Sequence, residues 1–379
     1  MIKLFVTGDN HIGLKYSSHC KGKEIIAKRF VAFDNMIKKA NEEKCNLFII
    51  TGDLFDNNKQ ILQRDIKSVM EKLSLFEGTA VILPGNHDYY KPEAKLWQQI
   101  DNIIKSMDNI LILNEYRPYE INVDEEKVIL YPAFCTSLHS EPNENNLDWI
   151  KQQNIIHDEA YRIGIAHGAV VGETIDREGR YFSMERSELE SIPVDVWTIG
   201  HTHVPFPRNL RENEYTEGER IYNSGTHVQT DVSCNTAGEC FIIEIEKDNG
   251  KKTVRAKKYV SGNIGFIRKY INVNADKMEE DLKKELSQYD NNTAIDVILS
   301  GAVSIEEYES KDKIIEKSLE RFFESTYNCD NLSRLISEEL INKEFAEQSF
   351  PAALLKGLLN NPKEAQLAYE MLKDIREGK

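Results

Sequence analysis

The chain has 379 residues, of which 40% are hydrophobic and 29% charged, as in a soluble globular protein with room for two or three domains. Its net charge of −15 argues against passive binding to nucleic acid, which needs basic surface to release counterions. Bound cations or a basic partner would remove that objection. Because no signal sequence precedes Ile2 and no apolar run approaches about 18 residues, we expect a cytoplasmic protein with no membrane contact.

Short β-rich runs alternate with amphipathic segments in the first part of the chain. Strands are predicted over residues 2–7, 46–51 and 80–83, and helices over 24–43 and 60–76. In the first helix, apolar residues recur every three or four positions from Ile26 to Ala40. This order favours a layered α/β core whose strand ends gather along one edge.

Beyond residue 110, the predicted elements are mostly strands, and few helices lie between them. They are predicted over residues 119–123, 127–131, 162–166, 194–199, 219–222, 239–246 and 252–260, which makes residues 1–262 one sandwich-like α/β domain. The glycines and asparagine of 261–265 predict a linker. A small βαβα domain follows over 263–331, with strands at 266–273 and 293–299 and helices at 276–288 and 311–325. Residues 332–379 predict two helices broken near Pro351.

Five polar clusters follow predicted strands, each beside a glycine that lets the backbone turn sharply: GDNH (8–11), GDLFD (52–56), GNHD (85–88), AHG (166–168) and GHTH (200–203). Carboxylate, imidazole and amide oxygen together suit divalent transition ions. A single cluster of this kind is often only a turn or cap. Together they offer seven candidate ligands, enough for two ions that share one carboxylate: Asp9, His11, Asp53, Asn86, His167, His201 and His203.

As an ordered set, these motifs resemble the five signature blocks of the calcineurin-like metallophosphoesterases over roughly residues 1–230. The resemblance implies a layered β-sandwich flanked by helices. It also implies one ion at Asp9, His11 and His203, a second at Asn86, His167 and His201, and Asp53 as the bridge. His87 would face the phosphate without binding metal. Asp88 would orient His87 directly or by holding the turn, or would only cap the turn.

Three further features are similar to the SbcD-type DNA repair exonucleases. These are Ile12-Gly13 with the basic segment that follows, the segment YNSGT (222–226), and Asp56, where archaeal and eukaryotic relatives of the meiotic-recombination nuclease have His. The resemblance covers nearly the whole chain. It implies a manganese-dependent 3′–5′ exonuclease on duplex DNA and endonuclease on single strands or hairpins, with a DNA-capping domain after residue 262. It also implies a homodimer, and an SbcC-type coiled-coil ATPase bound by the C-terminal helices.

Several interpretations stay open at this stage. Five basic residues near the motif loops either contact DNA phosphates or are ordinary solvated charges: Lys15, Lys21, Lys23, Lys59 and Arg64. Tyr89 and Tyr90 either stack on a base or pack at the domain surface. The apolar C-terminal helices either bind a partner or pack on the chain itself. The rival functions are hydrolysis of a small phosphoester and an inactive scaffold, the second of which would typically have lost metal ligands.

Overall fold

The computed structural model describes residues 1–142, 144–156, 158–173 and 180–377. The chain forms two compact units, Met1–Gly265 and Phe266–Lys379. Within the described ranges, the first unit contains twelve strands and five helices, in this order: β1 (Ile2–Thr7), α1 (Gly22–Glu42), β2 (Leu47–Ile50), α2 (Gln63–Leu73), β3 (Thr79–Ile82), α3 (Lys95–Ile104), β4 (Ile110–Ile112), β5 (Tyr119–Val123), β6 (Glu126–Ala133), α4 (Asp148–Lys151), β7 (Tyr161–His167), α5 (Arg186–Ser191), β8 (Val196–Gly200), β9 (Thr216–Glu217), β10 (Ile221–Asn223), β11 (Glu239–Asp248) and β12 (Lys251–Val260).

Two sheets carry these strands. The larger has the order β4-β3-β2-β1-β11-β12-β9, and the smaller has the order β10-β8-β7-β6-β5. Strands β1 to β4 are mutually parallel, as are β6, β7, β8 and β10. Each set is therefore a parallel core, and the carboxyl ends of its strands lie at one edge of its sheet.

The two sheets pack face to face around a shared apolar layer. Leu4 and Val6 of β1 and Ile49 of β2 lie in one cluster with Ile163 of β7 and Val196 of β8. The opposite face of the large sheet packs on α1, α2 and α3, and the opposite face of the small sheet packs on α4 and α5. Strands covered on both faces are largely apolar, which explains the uninterrupted run LFII and the run AVI that completes β3.

The second unit is a three-stranded sheet with helices. Its elements are β13 (Gly265–Asn274), α6 (Met278–Leu286), β14 (Thr293–Val303), α7 (Ile305–Glu309), α8 (Lys311–Leu319), β15 (Glu324–Arg334), α9 (Glu338–Glu344), α10 (Phe350–Gly357) and α11 (Pro362–Glu377). The sheet order is β13-β14-β15, and one sheet face packs on α6 and α8 through residues such as Val297 and Leu282.

Two sequence predictions in this unit are wrong. The helix predicted over 311–325 ends at Leu319, and Glu324–Arg334 forms strand β15, parallel to β14. The missed strand is polar and has only one well-covered face. Its only strand signal is a weak alternation of apolar and polar residues, which did not distinguish it from the end of a helix. The C-terminal segment contains three helices rather than two. The predicted break near Pro351 separates α9 from α10, and a second, unpredicted break separates α10 from α11, which begins at Pro362. No helix among the described residues is long and apolar enough to cross a membrane.

Candidate dinuclear metal centre

The five polar motifs meet at the carboxyl ends of the two parallel cores. Asp9 and His11 follow β1, Asp53 follows β2, and Asn86 follows β3 in the larger sheet. In the smaller sheet, His167 is the last residue of β7, and His201 and His203 follow β8. Sandwich packing of the sheets thus brings together side chains that are far apart in the sequence. This topology explains why the polar residues after the predicted strands lie along one edge, as the sequence predicts.

Asp9, His11 and His203 form the first ligand group. Their ligand atoms all lie within 4.8 Å of one another. The Nε2 atoms of His11 and His203 are 2.9 Å apart. Two imidazole nitrogens at this distance can share one proton at most, so the group offers lone pairs toward a common point. This is the arrangement that a cation bound by imidazoles requires.

Asn86, His167 and His201 form the second group. The side-chain oxygen of Asn86 lies 2.9 Å from His167 Nε2 and 3.0 Å from His201 Nδ1. Asn86 donates from its amide nitrogen to the carbonyl of Leu138, at 3.2 Å, which turns the amide oxygen toward the histidines. His167 Nδ1 donates to the carbonyl of Thr51 at 2.8 Å and leaves Nε2 as the ligand atom.

Asp53 lies between the two groups. Its Oδ2 atom is 3.8 Å from His11 Nε2 and 3.3 Å from His167 Nε2, while Oδ1 accepts a hydrogen bond from the main chain of His87 at 2.8 Å. One carboxylate oxygen therefore faces both groups, as a bridging ligand must. Gly85 makes this position possible, because a Cβ atom there would lie 2.2 Å from Asp53 Oδ1.

Five of the seven candidate ligands have left-handed backbone conformations. The φ angles are 49° at Asp9, 43° at His11, 51° at Asp53, 118° at His201 and 53° at His203. Such angles are uncommon for residues other than glycine and persist only where the surroundings hold them. Because these angles occur together in one site, the backbone there is strained, and this strain places the side chains next to one another.

Burial and mutual charge set the protonation of the ligands. Burial would raise the pKa of Asp53, but the neighbouring His167 and His11 overcome this effect and lower it. Burial alone would lower the pKa of His167, whereas Asp53 raises it to about 9. Burial raises the pKa of Asp9 to about 6 and lowers the pKa of His203 to about 4. His203 is thus a neutral ligand at pH 7, while His167 shares a proton with Asp53 until a cation displaces it.

His87 is half-buried beside this centre and is held from one side. Its Nδ1 donates to the carbonyl of Asp56 at 3.0 Å, which leaves Nε2 as the nitrogen available to a substrate. The carboxylate of Asp56 lies 3.6 Å from His11 Nδ1. Asp56, whose role the sequence left undefined, therefore contacts two imidazoles of the site, one through its main chain and one through its side chain.

Asp88 is fully buried and holds the turn. Its carboxylate accepts hydrogen bonds from the main-chain nitrogens of Gly85 at 2.7 Å and Phe55 at 3.0 Å. These bonds tie the GNHD turn to the GDLFD loop. Of the roles considered for Asp88, the contacts agree with fixing the turn, and the polar contact of the His87 ring is with Asp56 instead.

The candidate DNA-contacting residues lie outside the metal centre. Lys15, Lys21, Lys23, Lys59 and Arg64 are all exposed, and Lys15 Nζ lies 3.4 Å from the side-chain oxygen of Gln60. Tyr89 is half-buried, with Lys91 Nζ 5.6 Å from its ring centre. Tyr90 packs against Trp97 and Phe134, at ring distances of 5.6 and 6.2 Å, which agrees with the packing alternative for this residue.

The residues present fit two divalent cations. Two groups of imidazole and oxygen ligands converge on neighbouring points, one buried carboxylate faces both, and the ring orientation of His167 is fixed by a main-chain carbonyl. The mixed nitrogen and oxygen donor set suits a transition ion better than Mg²⁺ or Ca²⁺. The ligand atoms of His11, Asp53 and His87 form a third group within 4.8 Å of one another, which places the His87 ring directly beside the two ligand groups.

Comparison with known proteins identifies the family. The family model for calcineurin-like phosphoesterases matches residues 2–205, which include all seven candidate ligands, and the chain belongs to this family. Members of this family are metal-dependent phosphoester hydrolases. The fold is accordingly the metallophosphoesterase fold, with mixed α/β sheets and flanking helices, as the sequence predicts.

Curated proteins that resemble the chain include a DNA repair protein and a metallophosphoesterase. The DNA double-strand break repair protein Mre11 of Saccharolobus solfataricus is 22% identical over 417 aligned positions, which cover 99% of both chains. The uncharacterized metallophosphoesterase YhaO of Bacillus subtilis is 24% identical over 177 positions, covering 46% of this chain and 40% of YhaO.

Solved structures to which the chain is similar include TT1561 of Thermus thermophilus and a dimetal phosphatase from Danio rerio. The first is 10% identical, covers 66% of this chain and 99% of its own, and has a TM-score of 0.41. The second is 11% identical, covers 68% and 98%, and has a TM-score of 0.37.

Proton competition predicts a pH dependence of metal binding. His167 must lose its proton before Nε2 can bind a cation, so Mn²⁺ affinity should fall roughly 10-fold per pH unit as the pH drops below about 9, and more steeply below pH 6 as Asp9 is protonated. Titrations with Mn²⁺ at about pH 7.5 and about pH 5.5, followed by the electron paramagnetic resonance of free Mn²⁺, measure this. Equal affinity at the two pH values would contradict the proposed ligand set.

Proposed function

We propose that this protein is a two-metal DNA nuclease of the SbcD type. In this proposal it is a manganese-dependent 3′–5′ exonuclease on duplex DNA and an endonuclease on single strands and hairpins, and it acts in DNA repair with an SbcC-type ATPase. The ions would be bound by Asp9, His11 and His203 and by Asn86, His167 and His201, with Asp53 as the bridge.

The observation that carries the proposal is the extent of the likeness to Mre11. The alignment covers 99% of both chains, so it includes the second unit after residue 265 as well as the phosphoesterase core. An enzyme for small phosphoesters needs only the core. A shared additional unit favours a macromolecular substrate. Because the relative is a DNA repair protein, we propose that this substrate is DNA.

The chain's own groups have definable roles in this reaction. When bound, two ions would lower the pKa of a water molecule and stabilise the charge that develops on the phosphate oxygens. His87, held at Nδ1 by Asp56, offers Nε2 to the phosphate and can donate a proton to the leaving oxygen. Asp88 keeps the turn that carries Asn86 and His87 in place.

An exposed apolar stripe on the C-terminal helices favours binding of a protein partner. Leu367, Met371 and Ile375 recur every four residues along one face of α11 and are 61, 57 and 72% exposed. Phe350 of α10 is 74% exposed as well. These helices also pack internally through buried residues such as Tyr369, so self-packing accounts for part of the apolar surface and leaves this stripe. A coiled-coil segment of the ATPase would cover it. The homodimer is proposed from the family resemblance.

The negative net charge of the chain opposes DNA binding, and bound cations would offset it. With −15 on the chain, DNA would be repelled at long range. Two divalent ions would add positive charge at the site of phosphate binding. Weaker local contacts would come from Tyr89 at the rim and from the basic residues named above: Lys15, Lys21, Lys23, Lys59 and Arg64.

The alternative function is hydrolysis of a small or nucleotide phosphoester by the same centre. Assays with Mn²⁺ on end-labelled duplex DNA, single-stranded DNA and bis-p-nitrophenyl phosphate distinguish the two. We expect cleavage of both DNA and the small ester, with the DNA activity increased by the ATPase subunit. Turnover of the small ester with no cutting of DNA, even with the ATPase subunit present, would refute the nuclease proposal.

The role of His87 gives a second test. In His87→Ala we expect both ions to remain bound while cleavage of DNA, whose basic leaving oxygen needs a proton, falls roughly 10²- to 10⁴-fold, the usual contribution of a general acid or base. Turnover of bis-p-nitrophenyl phosphate should fall less, because p-nitrophenolate leaves without a proton. Metal content and turnover are measured on the same sample, with His19→Ala as a control for loss of a histidine outside the centre. Loss of an ion from His87→Ala would mean that His87 is a ligand.

A further inference from the structure

A buried arginine lies directly behind the first metal-binding loop. Arg29 of α1 is 3% exposed, and its guanidinium donates to three main-chain carbonyls. Nη2 donates to Asn10 O at 2.7 Å, and Nη1 donates to Val228 O at 3.3 Å and Gln229 O at 3.4 Å. The ring of Tyr16 lies 6.0 Å from the guanidinium carbon. A buried cation held mainly by carbonyl dipoles is costly, so its retention in this place requires a reason.

The loop that Arg29 contacts carries two candidate ligands in strained conformations. Asn10 lies between Asp9 and His11, whose φ angles are both left-handed. The main chain on either side is also held, since Thr226 Oγ1 donates to Asp9 O at 2.9 Å and His11 N donates to Asp53 O at 2.9 Å. The carbonyl of Asn10 belongs to the peptide group that leads into His11, and the bond from Arg29 to it is the shortest of the three.

The planar guanidinium also joins this loop to a second one. Residues 226–229 reach the site through Thr226, which pairs with Gly8 in an isolated parallel bridge. Because Nη1 and Nη2 point to different loops, one side chain fixes both at once, which a lysine ammonium at the same position could not do. We propose that Arg29 is a positioning residue that holds the Asp9–His11 loop in its ligand conformation and so sets the affinity for the first ion.

The second ion has separate supports. His167 is oriented by the carbonyl of Thr51, and Asn86 by the carbonyl of Leu138. Neither contact involves Arg29. Loss of the guanidinium should therefore act unequally on the two ions, and this asymmetry separates a positioning role from general destabilisation. The inference rests on the proposed two-metal function but not on the identity of the substrate.

The experiment counts Mn²⁺ ions and their affinities in the full-length protein by electron paramagnetic resonance of free Mn²⁺, for wild type, Arg29→Met and Arg29→Lys. Folding is verified by circular dichroism and the thermal transition. We expect wild type to bind two ions. Both variants should bind one ion with wild-type affinity and the other about 10- to 100-fold more weakly, as for other residues that orient metal ligands.

Arg162→Met is the matched control. Arg162 is 4% exposed and donates to the carbonyl of Ala160, but it lies at the start of β7, whereas His167 ends that strand. Its replacement should leave both affinities unchanged.

Binding of both ions with wild-type affinity by a folded Arg29 variant would overturn the proposal. If Arg29→Met does not fold, Arg29→Lys decides the question. Lysine keeps the positive charge but lacks the two guanidinium nitrogens that donate to separate loops. Absence of metal binding by wild type would instead refute the metal centre itself. Failure to cut DNA would refute the nuclease proposal and leave the inference on Arg29 standing.

Discussion

The buried carboxylate of Asp53 is the interaction on which the rest of the site depends. It is 1% exposed, and one of its oxygens faces imidazoles from both sheets, His11 after β1 and His167 at the end of β7. The other oxygen is fixed by the main chain of His87, the residue that we propose donates the proton. The two candidate ligand groups and the proposed acid therefore share one carboxylate, and the packing of the two sheets brings their side chains next to it.

The same cluster is costly for the folded chain. Asp9, Asp53 and Asp88 are all buried, and burial together with the charge of Asp53 raises the pKa of Asp88 to about 7. Left-handed backbone at five ligands adds to the cost. Two divalent ions would balance the negative charge and stabilise the strained loops through metal bonds. This combination of charge and strain is hard to explain by stability alone and is typical of sites retained for chemistry.

Most of the core, and the meeting of the five polar motifs at one place, could be predicted from sequence because both depend on strong local signals. The runs IKLFVT, LFII and TAVI are largely apolar because both faces of these strands are covered, and a glycine followed by a polar ligand comes soon after each. The order of five such motifs implied the shared edge. Strand β15 was missed since its exposed residues lack this contrast. The break between α10 and α11 was missed although Asn361-Pro362 is a signal that disfavours a continuous helix.

The residues that orient the candidate ligands and His87 could not be predicted, because each of their contacts involves a main-chain carbonyl. Thr51, Leu138 and Asp56 contribute carbonyls, which any residue type provides, and Arg29 was one of several basic residues in its segment. Anomalous scattering from a crystal grown with Mn²⁺ tests the central claim most directly. The account predicts two peaks about 3.5–4 Å apart, with Asp53 Oδ2 bound to both. A single peak, or two peaks that do not share Asp53, would contradict it.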